Sequence, residues 1–254
     1  MRMNVRDRVK TSYRDIYLLP SFCSLGNLFF GFLSLFASFH GRYAWAGFWV
    51  ICAATMDALD GIVARSSRTH SDFGRELDSL ADSVSFGAAP AILLYFWGLR
   101  GARTAGLFFA FIYLAAGVLR LARYNVRSVI QPDRRFYTGL TIPSSSMFLS
   151  SIVFLRPQPL ADKTSVFLVA LLALFLAFCM VSTIPYRNFL SFNLRKRIDI
   201  RTALLIAIII SSLIFYPKIF LVSFFTVNVL SGPAALLLKR ARAARKEASP
   251  KKAG

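Results

Sequence analysis

The sequence predicts an all-α, polytopic membrane helix bundle with about eight transmembrane helices and both termini cytoplasmic. Three observations carry this. The 254 residues are 56% hydrophobic and only 17% charged, with 25 Phe and a mean hydropathy of +0.55, which is too apolar for a water-soluble domain of this length. Apolar stretches of roughly bilayer-crossing length recur at about 18–39, 44–64, 77–98, 104–124, 138–155, 164–185, 202–216 and 218–238. Lysine and arginine then sort by side: Arg42, Arg100, Arg103, Arg156, Lys163 and Lys218 occupy one set of loops, and the other 25 of 31 occupy the opposite set and both chain ends. Cytoplasmic loops hold the excess of positive residues, which places both ends on that side.

Taken in order, residues 1–15 are basic and polar and form a cytoplasmic N-terminal segment. No small-residue cleavage site follows a short apolar core, so the first span reads as an uncleaved anchor and the mature chain is expected to start near Met1. Residues 16–238 form one membrane domain without an internal repeat or an inserted soluble domain. The polar loop RSSRTHSD is short, so the helices on either side of it are antiparallel neighbours. Pro217 marks the turn of a hairpin formed by the last two spans, both of them short. Residues 239–254, KRARAARKEASPKKAG, are expected to be a basic, disordered cytoplasmic tail.

The net charge of +19 raises nucleic acid as a partner, but the cations are spread over several loops on one membrane face and fit attraction to anionic lipid better. No nucleic-acid partner is expected. Cys23, Cys52 and Cys179 sit in apolar segments without metal-type spacing and read as small buried hydrophobes. His40 and His70 lie at an interface and in a polar loop, and the Phe and Trp residues read as packing or lipid-facing groups.

The charge that does not fit a membrane helix is acidic. Asp57 and Asp60 are spaced i, i+3, and Asp78 and Asp82 i, i+4, so each pair lies on one face of its own helix. Counted inward from the intervening loop, the two pairs come level at depths of about 7 and 12 Å. Each unpaired carboxylate at such a depth costs on the order of 2.5–3.5 kcal/mol, so something positive must share the site. All-oxygen ligands favour a hard divalent ion, Mg²⁺, Mn²⁺ or Ca²⁺, and four carboxylates can hold two. Two such ions are apparatus for displacement at phosphorus. Gly61, Ala64 and Gly74 leave space beside the carboxylates for a bulky ligand. The plain alternative is a set of solvated helix-end charges balanced by Arg65, Arg68 and Arg75. A divalent-cation transporter would also present intramembrane carboxylates, but here the opposite half of the chain has none.

The stretch Asp57-Ala-Leu-Asp60-Gly61-Ile-Val-Ala64-Arg65, then eight residues, Gly74, three residues, Asp78, three residues and Asp82 resembles the D-x2-D-G-x2-A-R-x8-G-x3-D-x3-D signature of the CDP-alcohol phosphatidyltransferase family at every fixed position. The resemblance implies a six-helix core, here with a C-terminal hairpin, and a homodimer. It implies two divalent metal ions held by Asp57, Asp60, Asp78 and Asp82, with Asp82 also the catalytic base. It further implies a CDP site made by Asp60, Gly61, Ala64, Arg65, Gly74 and Asp78. Asn27, in SLGNLFFGF, would contact the nucleotide or hydrogen-bond a neighbouring helix. The reaction implied is attack of an alcohol hydroxyl on the lipid-bearing phosphorus of CDP-diacylglycerol, with release of CMP.

Further segments, SVSFGAAPA at 83–91, LRLARYNV at 119–126 and FYTGLTIPSSS at 136–146, are similar to the phosphatidylserine synthase branch, as are VSTIPYRNF and LSGPAALLL. Thr141 and Ser144 depart from that pattern, which has Pro and Ala there. L-serine is then the implied acceptor, with glycerol 3-phosphate or another alcohol as the alternative. Arg120, Arg123 and Asn125 form a polar cluster at the cytoplasmic end of the fourth span. They suit a serine carboxylate or lipid phosphate and equally suit plain membrane-surface anchoring. The implied location is a prokaryotic-type cell (inner) membrane with its active site on the cytoplasmic side.

Overall fold

The computed structural model describes residues 18–67, 72–130, 137–186, 211–212 and 215–247. Helix α1 (Leu18–Phe39) shows why the sequence folds as it does in lipid. Ser24, Asn27, Gly31, Ser34 and Ser38 recur at helical spacing and form its buried stripe, while Phe22, Phe29, Phe32 and Phe36 are exposed on the other side. Lipid is as apolar as leucine, so small and polar residues make the inter-helix contact and large aromatics face outward. That stripe packs against α2 (Tyr43–Ser67) and α3 (Asp72–Asp82).

The third apolar stretch does not run as one uniform helix. After Asp82 the winding loosens to a π-helical turn at Ser83–Ala88, returns to α in α4 (Ala89–Leu94) and loosens again at Tyr95–Leu99. The chain reverses over Arg100–Ala102, with Arg103 at φ 49, into α5 (Arg103–Ile130). Trp97 Nε1 donates to the Arg156 carbonyl at 2.9 Å, so the far end of the bundle is tied across the chain.

Helix α6 (Ile142–Leu155) has 14 residues, about 21 Å, and begins later than the expected 138–155 span. Gly139, at φ +83, takes the left-handed conformation that breaks the helix, and Thr141 then caps it by accepting from Ser144 N at 3.3 Å. Thr141 and Ser144, the two departures from the branch pattern, are thus the capping pair. Before them β1 (Tyr137–Thr138) pairs antiparallel with β2 (Pro185–Tyr186), two residues each, a feature absent from the all-helical expectation. Helix α7 (Lys163–Val181) is capped by Asp162, which accepts from Ser165 N at 2.8 Å. The Ser165 hydroxyl, followed by that backbone bond, holds the exposed Asp162 carboxyl below its ordinary value.

Helix α8 (Pro217–Glu247) is 31 residues long. It continues past Lys239, where the tail was expected to lack structure, because Ala, Arg, Lys and Glu are good helix formers. The expected 202–216 span lies outside the described residues except for 211–212 and 215–216. Among the described residues, four segments are long and apolar enough to cross a membrane: Phe22–Phe39, Phe73–Val126, Lys163–Val181 and Pro217–Leu236. The protein is therefore an integral membrane, helical, polytopic chain. Its core runs between α2, α4, α5, α6 and α7, where Val50, Leu93, Leu94, Tyr113, Ile142, Leu149, Leu176 and Met180 are buried.

Candidate active site

Helices α2 and α3 bring their acidic faces together. One carboxylate oxygen from each of Asp57, Asp78 and Asp82 lies within 4.8 Å of the other two. Asp60 and Asp82 are each only 8% exposed. The level pairing expected from residue counting is modified: Asp57, Asp78 and Asp82 form the tight group, and Asp60 accepts a 2.6 Å bond from Ser24 Oγ of α1. None of the four makes an ion pair among the described residues, where the pair within reach is Arg75–Glu76 at 4.0 Å. Asp78 Oδ1 is buried with no hydrogen-bond partner among them. Three converging carboxylates with an orphaned oxygen and no cation within ion-pair distance among the described residues are a donor set suited to a hard divalent ion, and the residues fit one.

Asn27 is wholly buried on α1. Of the two partners expected for it, the structure supplies the helix neighbour: Nδ2 donates to Asp82 Oδ1 at 3.0 Å. Ser85, in the π-helical turn after Asp82, donates from Oγ to the Asn27 carbonyl at 2.9 Å. Serines also tie the acidic helix to itself, Ser79 Oγ donating to the Arg75 carbonyl at 3.0 Å and Ser83 Oγ to the Ser79 carbonyl at 2.8 Å. Gly61 is exposed on α2 and Gly74 half-buried on α3, beside the cluster. Ala64 and Arg65 lie in the last turns of α2, and their side chains fall outside the described residues.

The cluster expected at the end of α5 separates into three destinations. Arg120 is 6% exposed, and its charge acts on Asp82. Asn125 Nδ2 donates to Ser79 Oγ at 2.9 Å, bracing the acidic helix between Asp78 and Asp82. Arg123 turns to the end of α7, donating to the carbonyls of Val181 at 2.7 Å, Met180 at 3.3 Å and Ser182 at 3.2 Å. It caps the helix, as cations do at a C-terminus where carbonyls lack intrahelical donors. The serine contacts of Asn27, Asn125 and Asp60 carried no sequence signal beyond the hydroxyls' presence, because each joins residues at least 36 positions apart.

A sequence profile described as CDP-alcohol phosphatidyltransferase matches residues 17–191, more than half of the chain. The chain belongs to the CDP-alcohol phosphatidyltransferase family. It is a transferase, and the family reaction is phosphatidyl transfer to an alcohol. Among its relatives, the CDP-diacylglycerol–serine O-phosphatidyltransferase of Helicobacter pylori is 32% identical over 176 residues, 68% of this chain and 73% of the relative. The enzyme of the same name from Bacillus subtilis is 31% identical over 172 residues, 67% of this chain and 90% of the relative. An archaetidylserine synthase from Methanothermobacter thermautotrophicus is 36% identical over 135 residues, 52% of this chain and 56% of the relative. The family match spans all four aspartates and the segments that place Asn27, Arg120 and Asn125.

Proposed function

We propose that this chain transfers the phosphatidyl group of CDP-diacylglycerol to the hydroxyl of L-serine, giving phosphatidylserine and CMP, and that the reaction depends on divalent metal. The observation that carries the metal dependence is the group of three carboxylates within 4.8 Å with no ion-pair partner among the described residues. Serine as acceptor is supported by the names of the relatives and by the segments similar to that branch.

Asp57, Asp60, Asp78 and Asp82 would hold Mg²⁺ or Mn²⁺, with Ca²⁺ also suited to their oxygens. A bound divalent ion there supplies charge neutralisation at the diphosphate and at the departing CMP. Asp82 accepts the proton of the serine hydroxyl as its oxygen forms the new bond to the lipid-bearing phosphorus. The bond from that phosphorus to the bridging oxygen breaks, and CMP leaves with that oxygen. Arg120, buried and acting on Asp82, is the side chain positioned to take serine's carboxylate. Asn125 donates to Ser79 and so braces the acidic helix beside the acceptor site, whereas Arg123 donates to the end of α7 and holds the fold. Gly61, Ala64, Arg65 and Gly74 would border the CDP moiety.

The same reading places the acidic end at the cytoplasmic face of a prokaryotic-type inner membrane, with eight spans, both termini on that side, and a homodimer carried by family resemblance. CMP release by the purified protein with CDP-diacylglycerol and Mn²⁺ or Mg²⁺ tests the proposal, comparing L-serine, glycerol 3-phosphate and myo-inositol. Release with serine alone is expected. Release with another alcohol alone overturns the acceptor, and equal rates in excess chelator overturn the metal dependence.

A further inference from the structure

We propose that α1 is the positioning element for the reaction's base, with Asn27 as the residue that sets the orientation of the Asp82 carboxylate. Three contacts on one stripe of α1 reach the acidic helices. Ser24 donates to Asp60 Oδ2 at 2.6 Å, Asn27 donates to Asp82 Oδ1 at 3.0 Å, and Gly31 lies against Ser85 so closely that a Cβ there would meet Ser85 Cα at 2.7 Å. Positions 24, 27 and 31 are spaced i, i+3, i+7, so one straight helix presents all three together. Ser85 closes the arrangement by donating to the Asn27 carbonyl at 2.9 Å from within the π-helical turn that follows Asp82. The loosened winding carries Ser85 back onto α1, and π-turns recur at functional sites for such re-aiming.

The consequence is chemical. A carboxylate that accepts a charge-assisted bond at one oxygen loses most of its freedom to rotate. With Oδ1 of Asp82 held by Asn27, the plane of the carboxylate is fixed, and with it the direction in which its remaining lone pairs meet the acidic cluster and the hydroxyl proton. Partners that orient a reacting group in this way are typically worth on the order of 10–100-fold in activity. Asn27 Oδ1 is buried with no hydrogen-bond partner among the described residues, which offers a competing role as an acceptor for a donor on the nucleotide. The two roles differ in what an apolar side chain of the same size would remove.

The inference rests on Asp82 as the base, and the experiment separates the two claims. Wild-type protein that releases no CMP with serine and Mn²⁺ overturns the reading of the site itself. Given an active wild type, Asn27→Leu is expected to lower kcat at saturating substrates by on the order of 10–100-fold. Its affinity for CDP alone, by titration calorimetry on the same purified protein, stays at the wild-type value. A kcat that holds while CDP affinity falls assigns Asn27 to the nucleotide and overturns the proposal, as does a variant unchanged in both. Should Asn27→Leu not fold, Asn27→Ala removes the amide donor to Asp82 with a side chain that favours the helix. A several-fold lower kcat with unchanged CDP affinity is then expected, and an unchanged kcat overturns the proposal.

Discussion

One turn of α5 separates Arg120 from Arg123, yet the two arginines serve regions built on opposite terms. Around Arg120, three carboxylates converge within 4.8 Å, one buried carboxylate oxygen lacks any described partner, and no described cation is within ion-pair distance of them. Around Arg123, hydrogen bonding is dense. The guanidinium donates to three carbonyls at the end of α7, Gly139 N donates to the Ile184 carbonyl at 2.8 Å, and Leu140 N donates to the Cys179 carbonyl at 3.0 Å. Next to it, Pro233 of α8 has no N–H to give the Val229 carbonyl four residues earlier, and the Tyr186 hydroxyl donates there instead at 3.3 Å. The Tyr186 ring rests on Gly232, where a Cβ would meet Cε1 at 2.6 Å. The first region leaves described polar groups unsatisfied at a cost in stability, an arrangement suited to a bound cation. The second spends its polar groups on holding helices together, and so carries the fold.

The comparison predicts opposite signatures for substitutions. The largest effect on activity is expected for Asp78→Asn. Metal stabilisation of the transition state is worth several kcal/mol, at 1.36 kcal/mol per tenfold, so CMP release should fall by at least about 100-fold. Its Tm in chelator should equal or exceed that of wild type, because one of several crowded charges is removed. Added Mn²⁺ should raise the wild-type Tm and leave the variant's nearly unmoved, by mass action on the folded state. A Tm loss in chelator would show that the aspartates are structural after all.

Gly139→Ala is the largest expected effect on stability. The left-handed φ of +83 and a Cβ placed 2.5 Å from the Met180 carbonyl oxygen should together cost about 2 kcal/mol or more, read as a lower Tm in detergent. Arg123→Met should cost about 1.5–3 kcal/mol by leaving carbonyls at the end of α7 without donors, with the KM for serine unchanged. A raised serine KM without a Tm loss would return Arg123 to the acceptor site. Tyr186→Phe should cost about 1 kcal/mol, since Val229 then has neither a backbone nor a phenol donor.

The smallest effect is expected for Asp162→Ala, which removes the cap of α7. The folded-state value of Asp162 is depressed, so its contribution is present above the unfolded value of about 3.9 and is lost as pH falls through the folded one. The Tm difference between wild type and variant should therefore shrink on acidification.

The family signature was legible because its spacing is local. Residues at i, i+3 and i, i+4 share a face wherever a helix forms, and a short polar loop makes two helices neighbours. The roles of Arg120 and Arg123 were not legible. A charge near a helix end obeys the same side preference whether it meets a carboxylate or a carbonyl. The late start of α6 was hidden by hydropathy, which scores FYTGLTIP as apolar and ignores the turn at Gly139 and the cap at Thr141. The helical run from Lys239 to Glu247 was hidden by charge, which says how a segment is solvated and not whether its backbone is helical.

By itself, the sequence determined a helical membrane protein and four acidic positions on two adjacent helices, since both follow from residue type and local periodicity. Only the tertiary structure decided which carboxylates converge and which oxygen Asn27 engages. It also buried Arg120 where its charge acts on Asp82 and turned Arg123 to the end of α7. The physical reason is that a hydrogen-bond partner 55 positions away, as between Asn27 and Asp82, is chosen by how close two helices come and by the winding of the chain between them.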